Sequence, residues 1–343
     1  MNVFYHCSDY ISYRRAGDEY KECLASLGHD LVASPEESDL VILHGEPQLF
    51  PLMLGDLFGK GAAGRDEARK KERKIVGYAV WETPELPAAY AEGIRGLDAV
   101  WTSSDFSRAA FAPYARTFVL PHVIKRRKPS PDDIAWARER LDMRETAGRE
   151  FYFYTIVDSV NPRKNLETLL AAFGTAFSGE KGARLVVKQY REACDLSGFP
   201  GVLDIPEMLS DGRISALHAV CDAYVSAHHA EAWGLPLSEA MAFGNPVIAT
   251  GYSGNMEFMD GTNSFPVPYS IVPVSDRICK ALPQLFHHGM TWADIDAGEL
   301  VRTFRRVRAL SPGADFRKIV ADSVKRFSPE AIQEKMRSLL SAL

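Results

Sequence analysis

Short apolar runs alternate along the chain with longer stretches of polar and helix-forming residues. Such alternation predicts βαβ units and parallel sheets. The apolar residues of each run are consecutive, which is typical of strands that helices cover on both faces of a sheet. The predicted strands lie at residues 3–5, 40–43, 75–80, 99–101, 117–120, 151–157, 184–187, 223–225 and 247–249.

A basic segment that contains prolines, residues 125–131, divides these strands into two groups. Its composition is typical of a linker. The chain has 343 residues, and a single hydrophobic core stops growing at about 250–300 residues. We therefore expect an α/β protein of two Rossmann-like domains with parallel sheets that face each other across a cleft. The expected parts are a first domain at 1–125, a linker at 126–144, a second domain at 145–326 and a C-terminal helix at 327–343 that completes the first domain.

Composition and charge exclude several classes of protein. Hydrophobic residues make up 46% of the chain and charged residues 25%, which is typical of a soluble globular enzyme rather than a disordered or polytopic membrane protein. The net charge of −5 argues against bulk nucleic-acid binding, because neutralising phosphates requires a basic surface. We expect a cytoplasmic protein with reduced cysteines. A peripheral contact with the inner face of a membrane, through 125–128 or the helix at 331–340, stays open, as does the oligomeric state.

The first candidate binding element follows the predicted strand at 151–157. Arg163 and Lys164 stand there directly before a helix whose apolar residues recur at helical spacing, and Asn165 is the expected N-cap. The N-terminus of a helix is partly positive, so two cations beside it repel it unless an anion lies between them. The junction therefore predicts an anion site, with a solvated basic turn as the alternative.

The second junction carries two glutamates. The strand at 223–225 leads into a loop with Glu231 and Gly234, and then into a helix that contains Glu239 about one turn after its start. Ligands of parallel sheets bind beyond the carboxyl ends of the strands, which both carboxylates can face. Because Gly234 has no side chain, backbone N–H groups at this position can approach an anion closely.

A third junction follows the strand at 247–249. Residues 251–255 read Gly-Tyr-Ser-Gly-Asn and precede a short helical turn. Each glycine alone is ordinary turn chemistry. Two helix starts with glycine, next to a pair of carboxylates, predict one shared binding site.

These junctions carry a resemblance to a known family. Residues 231–250, which read Glu-Ala-Trp-Gly-Leu-Pro-Leu-Ser-Glu-Ala-Met-Ala-Phe-Gly-Asn-Pro-Val-Ile-Ala-Thr, resemble the E-x7-E signature of retaining GT-B glycosyltransferases, especially family 4. Residues 163–167 resemble the basic turn before the first helix of that family's second domain. Residues 100–107 and 81–87 resemble segments of its first domain, the latter in a subset that includes mannosyltransferases. The resemblance implies the GT-B fold and transfer of a hexose from GDP-mannose or a UDP-sugar to a glycan, lipid-linked or other hydroxyl acceptor, in surface polysaccharide or glycoconjugate synthesis.

The same resemblance implies roles for individual residues. Glu239 would hydrogen-bond the donor ribose, and Glu231 would lie beside the donor sugar. The amides of Gly234 and Leu235 would hold the distal phosphate. The two cations expected to neutralise the diphosphate as the glycosidic bond breaks are Arg163 and Lys164.

Further residues complete the implied donor site. Lys188 is a further cation or a contact to the nucleobase, with a solvent-exposed lysine at a strand end as the alternative. The remaining donor-binding candidates are Trp233, Ser253, Gly254 and Asn255.

The chain departs from the family's pattern in both domains. The family usually has Gly-Arg where this chain has Asp158 and Ser159, so an expected phosphate-binding arginine is missing, for which Arg163 can substitute from a different turn. Residues 7–10 lack the paired glycines of the first domain's donor loop. A family histidine near the reacting sugar has no match, because residues 81–83, Trp-Glu-Thr, occupy that region.

Several alternatives stay open. One is a catalytically degenerate GT-B protein that binds carbohydrate or serves as a scaffold, and another is a sugar phosphorylase or sugar-phosphate synthase of the same fold. An NAD-dependent oxidoreductase or an epimerase would need Gly-x-Gly-x-x-Gly after the first strand, which residues 7–18 lack. Glu231 is either a nucleophile, as in many retaining glycosidases, or a residue that positions the sugar. No cofactor or metal is expected. Asp294-Ile295-Asp296 has the form of a metal-binding Asp-x-Asp, but the preceding segment from Thr291 to Asp294 fits a helix cap better than the apolar strand that such a motif follows.

Overall fold

The computed structural model describes residues 1–60, 64, 67–143, 150–178 and 182–343. The described residues form two compact units. The predicted start of the second domain, at residue 145, lies outside them. Unit 1 comprises Met1–Val123, Cys279–Met290 and Arg326–Leu343, and unit 2 comprises Ile124–Ile278 and Thr291–Lys325.

Unit 1 is built around a parallel six-stranded sheet with the order β2-β1-β3-β4-β5-β6. All five strands predicted for this half of the chain are present, and β2 adds a short edge. The strands are β1 (Asn2–Cys7), β2 (Asp30–Leu31), β3 (Leu40–His44), β4 (Lys74–Tyr78), β5 (Ala99–Thr102) and β6 (Thr117–Val119). The helices are α1 (Ile11–Ser26), α2 (Phe50–Phe58), α3 (Ala88–Gly93), α4 (Asp105–Phe111) and the C-terminal α12 (Pro329–Ser341).

The C-terminal helix α12 packs against α1 within unit 1. Ser328 caps its first turn, and its apolar residues recur at helical spacing. Those buried in the unit are Ile332, Met336, Leu339 and Leu340.

Unit 2 contains a second parallel six-stranded sheet, with the order β12-β11-β10-β7-β8-β9, and an antiparallel pair, β13 and β14. The two six-stranded parallel sheets confirm the predicted α/β fold class. The strands are β7 (Phe151–Val157), β8 (Ala183–Gln189), β9 (Val202–Ile205), β10 (Ala223–Ser226), β11 (Val247–Thr250), β12 (Phe265–Val267), β13 (Tyr269–Pro273) and β14 (Thr291–Ile295). The helices are α5 (Pro131–Arg140), α6 (Leu166–Phe177), α7 (Asp211–Val220), α8 (Leu235–Ala242), α9 (Asp276–Ala281), α10 (Ala297–Leu310) and α11 (Ala314–Ser323).

An aromatic cluster joins α6 and α10 to one face of this sheet. The ring of Phe304 lies 4.9 Å from that of Phe153 and 5.9 Å from that of Phe173. The apolar face predicted for α6 is buried in the same core. In the described part of the chain, no helix has the length and hydrophobicity needed to cross a membrane.

The described residues of the predicted linker, 126–144, lie in unit 2, where α5 packs against α7. The guanidinium of Arg126 lies 5.2 Å from the ring centroid of Phe243, and Arg127 pairs with Asp211 at 2.9 Å. Two of the charges that suggested a linker therefore anchor this segment to unit 2.

The predicted helix cap from Thr291 to Asp294 is wrong. Both residues lie in β14, which forms because its apolar residues are buried while Asp294 stays exposed. The helix begins at Ala297 instead. Asp296 is its N-cap and accepts a hydrogen bond from the amide of Glu299 at 2.9 Å.

Candidate functional site

Three loops meet at the carboxyl ends of the central strands of unit 2. Strands β7, β10 and β11 are neighbours and run parallel, so the loops that follow them leave the same edge of the sheet. The loops are residues 158–165, 227–234 and 251–255, which are the three predicted junctions. Backbone hydrogen bonds join the first loop to the second and the second to the third.

Glu231 lies at the centre of this edge as a buried carboxylate between two cations. Its Oε1 atom is 2.5 Å from Nζ of Lys164, and its Oε2 atom is 3.3 Å from Nη1 of Arg163. Arg163 also donates a hydrogen bond to the carbonyl oxygen of Ala230 at 2.6 Å. The anion that the two cations require is therefore a side chain of the protein itself.

These charges determine the protonation state of Glu231. Burial raises the pKa of this carboxyl group, but Lys164 and then Arg163 outweigh burial and lower the pKa to about 2. Glu231 is therefore ionised at neutral pH. The neighbouring His228 is fully buried, and burial lowers its pKa to about 4, so its ring is neutral.

A short turn directs the two cations toward Glu231. Arg163 and Lys164 end the 3₁₀ turn Pro162–Lys164, whose first amides are capped by Asn161, with Oδ1 accepting from the amide of Arg163 at 3.1 Å. The predicted N-cap Asn165 does occupy the N-cap position of α6, with a φ of 50°, but its side chain makes no capping hydrogen bond.

The third loop holds the backbone of Glu231. Oγ of Ser253 accepts a hydrogen bond from the amide of Glu231 at 2.8 Å, and the amide of Gly254 donates to the carbonyl oxygen of Glu231 at 2.7 Å. A Cβ atom at Gly254 would lie 1.9 Å from the carbonyl oxygen of Ala232. The close approach of the two loops therefore requires glycine at this position.

Asn255 supports these loops from the interior. It is fully buried and donates to the carbonyl oxygen of Thr250 at 3.0 Å. Its Oδ1 atom lies 3.0 Å from Nε2 of His228, whose Nδ1 atom lies 2.9 Å from Oγ of Ser226. This role of His228 could not be predicted from the sequence, because two adjacent histidines have no spacing that indicates a shared site.

Two other predicted donor-binding residues are also interior. The indole nitrogen of Trp233 donates to Oγ of Ser238 at 3.2 Å, and its ring packs on Phe258. Lys188 is 2% exposed and donates to the carbonyl oxygen of Gln189, and burial lowers its pKa. The alternative of a solvent-exposed lysine is therefore wrong, because the end of β8 is covered at this position.

Helix α8 begins directly after the loop that carries Glu231. Gly234 occupies the N-cap position with a φ of 91°, a left-handed conformation that favours glycine. The first turn contains no acidic residue, and the described hydrogen bonds include none from the amide of Gly234 or Leu235. These amides, together with the partial positive charge of the helix end, can bind an anion.

Glu239 lies in the second turn of α8, at the boundary between the interior and the surface. Its side chain is 15% exposed, and its Oε2 atom is 3.7 Å from Nε2 of the buried His218. The carboxylate is therefore partly exposed to solvent, and one of its oxygen atoms lies near the imidazole of His218.

In unit 1, the residues that stand in place of the family's histidine are mostly interior. Trp81 and Thr83 are buried, and Nε1 of Trp81 donates to Oγ1 of Thr83 at 2.8 Å and to the carbonyl oxygen of Glu85 at 2.6 Å. Of this segment, Glu82 keeps part of its surface exposed.

No group of three or more His, Cys, Asp or Glu side chains that could hold a metal ion occurs among the residues that the structure describes. Asp294 lies 3.6 Å from Nδ1 of His229, and that ring stacks on Trp292 with centroids 4.4 Å apart. Together with the cap formed by Asp296, these contacts give both aspartates of the Asp-x-Asp segment neighbours within unit 2.

Comparison with known proteins gives a match over the region that forms this edge. Residues 139–265 match the model of the family "Glycosyl transferases group 1". WcaL of Escherichia coli (strain K12), whose name refers to glycosyl transfer in colanic acid biosynthesis, is 28% identical over 168 residues. That match covers 48% of this chain and 35% of the relative, so the chain spans about a third of the relative's length.

Solved structures share the whole fold. Alr3699/HepE of Anabaena, in complex with UDP and glucose, has a TM-score of 0.66 at 16% identity, over 100% of this chain and 99% of that chain. A glycosyltransferase of Rickettsia africae ESF-5 has a TM-score of 0.65 at 13% identity, over 98% and 97%. Sucrose-phosphate synthase of Thermosynechococcus elongatus has a TM-score of 0.66 at 15% identity, over 100% and 99%. At these identities the likeness establishes the fold.

Proposed function

We propose that this chain, whose residues 139–265 match the group 1 glycosyl transferase model, is a GT-B glycosyltransferase that moves a hexose from a nucleotide-diphospho-sugar to a hydroxyl group of a glycan or lipid-linked acceptor in polysaccharide synthesis. We further propose that the anomeric configuration is retained. The observation that carries the proposal is the buried cluster of Glu231, Lys164 and Arg163, directly before the N-terminus of α8. The UDP and glucose bound to the Anabaena protein of the same fold support a nucleotide-sugar donor.

The cations and the helix end fit the charge that this reaction develops. Transfer breaks the bond between the anomeric carbon and the diphosphate oxygen, and the diphosphate leaves with the bonding electron pair. The acceptor oxygen bonds the anomeric carbon, and its proton passes to the departing diphosphate. Lys164, Arg163 and the first amides of α8 supply positive charge for the leaving oxygen. One preorganised group of this kind is worth about 3–4 kcal/mol of barrier.

In this proposal Glu231 positions the sugar and does not attack it. Both carboxylate oxygens are engaged, Oε1 by Lys164 and Oε2 by Arg163. A carboxylate with a pKa of about 2 is also a weak nucleophile. It remains a good acceptor for sugar hydroxyl groups, which favours attack by the acceptor on the same face that the diphosphate leaves.

Glu239 takes the ribose in this proposal, and no metal takes part. The carboxylate of Glu239 is partly exposed to solvent and lies on the same helix whose N-terminus follows Glu231. Two adjacent hydroxyl groups are suitable donors to such a carboxylate. Lys164 and Arg163 occupy the role that a divalent cation has in metal-dependent transfer, which is to neutralise the diphosphate.

The proposal is tested by turnover with a panel of donors. The full chain is incubated with UDP-, GDP- and ADP-hexoses with water alone as acceptor, with an added sugar phosphate, and with an added glycan and inorganic phosphate. Released nucleoside diphosphate is measured, and the anomeric proton of the product is observed by NMR. We expect release from one donor class and a product with the donor's anomeric configuration. Binding without release would support the scaffold instead, and transfer to a sugar phosphate or release of a sugar 1-phosphate would support a synthase or phosphorylase. An inverted product would contradict retention alone.

A further inference from the structure

A chain of hydrogen bonds runs through the interior of unit 2 and ends at His218. Arg317 donates from Nη1 to Oδ1 of Asn245 at 2.8 Å, and Asn245 donates from Nδ2 to the hydroxyl of Tyr154 at 2.8 Å. That hydroxyl lies 2.7 Å from Nδ1 of His218. Asn245 also donates to the carbonyl oxygen of His218 at 2.6 Å, which fixes the amide in place.

These hydrogen bonds determine which nitrogen of His218 carries the proton. Arg317 can only donate, so the atom of Asn245 that it contacts is the oxygen, and the amide nitrogen of Asn245 must face Tyr154. Burial raises the pKa of Tyr154 well above its usual value, so its hydroxyl keeps its hydrogen. Among the residues that the structure describes, Nδ1 of His218 is the acceptor within reach of that hydrogen. Nδ1 is therefore the acceptor, and the ring hydrogen is on Nε2.

The donor Nε2–H of His218 is buried and lies next to Glu239. His218 is 2% exposed, and within the described part of the chain its Nε2 atom has no hydrogen-bond partner. The nearby acceptor is Oε2 of Glu239 at 3.7 Å. A buried donor without a partner is costly, and a small rotation of the Glu239 carboxylate would satisfy it.

We propose that His218 is a positioning residue that holds one oxygen of Glu239, so that the other oxygen accepts hydrogen bonds from the ribose hydroxyl groups of the donor. This inference rests on the proposed function, which assigns the ribose to Glu239. Tyr154, Asn245 and Arg317 act through His218, since they keep its hydrogen on Nε2. The hydrogen bond from Nε2 of His218 to Glu239 forms when the ribose orients the Glu239 carboxylate.

The proposal predicts a loss of affinity that depends on the ribose hydroxyl groups. Isothermal titration calorimetry compares the nucleoside diphosphate that the full chain binds, chosen from UDP, GDP and ADP, with its 2′,3′-dideoxy analogue. A hydrogen bond to a charged group is among the stronger ones in proteins, so we expect His218→Phe to weaken the ribonucleotide by about tenfold or more. We expect the same variant to bind the dideoxy analogue as the wild type does. His218→Gln, whose amide nitrogen can reach the position of Nε2, should restore most of the affinity.

Two further variants separate positioning from a structural role. In the Glu239→Ala background, His218→Phe should have no further effect on either nucleotide. Tyr154→Phe removes the hydroxyl group that donates to Nδ1 of His218, so the hydrogen of the imidazole ring can move to Nδ1. This variant should therefore reproduce part of the loss of ribonucleotide affinity. Equal weakening of both nucleotides by His218→Phe, or no weakening of the ribonucleotide, would overturn the role of His218 while leaving the proposed function intact. A wild-type chain that binds none of the three nucleoside diphosphates would contradict the proposed function and this inference with it.

Discussion

Replacing Lys164 by alanine removes one of the two cations that hold Glu231. The Nζ atom of Lys164 lies 2.5 Å from Oε1, while Nη1 of Arg163 stays 3.3 Å from Oε2. Because Arg163 remains as a counterion, the buried carboxylate keeps a partner, and we expect Lys164→Ala to fold. The side chains of the two cations are 22% and 12% exposed, so solvent replaces the lost charge only in part.

The expected effect on turnover is large compared with the effect on stability. Loss of one preorganised charge at a developing anion costs about 10²–10³ in rate, or roughly 3–4 kcal/mol. We expect kcat to fall by about this factor. We expect the free energy of unfolding to fall by about 1–3 kcal/mol, because one charged hydrogen bond is lost. The pKa of Glu231 should rise, since Lys164 is the strongest of the charges that lower it.

The assay is the initial rate of nucleoside diphosphate release at saturating donor, with urea unfolding measured on the same preparations. Lys318→Ala is the matched control, because Lys318 is a 76% exposed lysine of unit 2, and we expect it to turn over at the wild-type rate. Lys164→Arg keeps the charge and should retain more activity than Lys164→Ala. An unchanged kcat in Lys164→Ala, or equal losses in the alanine and arginine variants, would refute this role of Lys164.

Three other predictions concern the same site. Gly254→Ala places a Cβ atom 1.9 Å from a carbonyl oxygen, so we expect the free energy of unfolding to fall by about 3 kcal/mol or more and turnover to be lost. At Gly261 an added Cβ atom would have no neighbour within 4 Å, so Gly261→Ala should change neither quantity, and equal effects of the two variants would contradict the packing argument. The pKa of Glu231 is about 2 in the folded chain and about 4.3 when unfolded, so its charge stabilises the fold above pH 4.3, by about 3 kcal/mol, and this stabilisation is lost as the pH falls toward 2. The difference in unfolding free energy between the wild type and Glu231→Gln should therefore be constant above about pH 5 and shrink below it, and a difference independent of pH would be evidence against the ion cluster. Turnover should be unchanged by EDTA, and restoration of an EDTA-inactivated enzyme by Mg²⁺ or Mn²⁺ would contradict a metal-independent reaction.

The architecture could be predicted where strands are buried on both faces. Every strand expected from a run of consecutive apolar residues is present. Three strands of the six-stranded sheets were missed. They are β2, β9 and β12, which are all edge strands and have only two to four residues. An edge strand has a neighbouring strand on one side only and is less buried, so its residues need not be apolar. The run of consecutive apolar residues that predicts a strand is then absent. The return of Cys279–Met290 to unit 1 has no signal of this kind either, because the composition does not change there.

The candidate site could be predicted where its chemistry is local in sequence. Seven residues lie between Glu231 and Glu239, and they contain a glycine and a helix start, so the pattern is visible without a fold. The hydrogen bonds that lead through His218 to Glu239 are not local in sequence. Tyr154 and His218 are 64 positions apart, and Asn245 lies 91 positions from Tyr154. Such contacts arise only when β7, α7 and the end of α8 pack together.

The interior roles of Trp233 and Asn255 show the limit of assigning contacts from a motif. Both residues belong to segments that carry the donor-binding pattern, and both turn their side chains into the core. A stretch that matches a motif next to a binding loop contains residues that shape the loop as well as residues that can contact the ligand. Burial separates the two kinds, and burial depends on the whole fold.

The most direct test is thermal unfolding of the full chain with UDP, GDP, ADP and their hexoses, compared between the wild type and the double variant Arg163→Ala/Lys164→Ala, which is built on Glu231→Gln so that no buried carboxylate is left without a counterion. One nucleotide class at a hundred times its dissociation constant should add about 2.7 kcal/mol to the stability of the wild type. The same ligand should add little to the double variant, because the charges that meet the diphosphate are gone. Equal stabilisation of both proteins, or none of the wild type by any nucleotide, would contradict a donor site built on Arg163, Lys164 and Glu231.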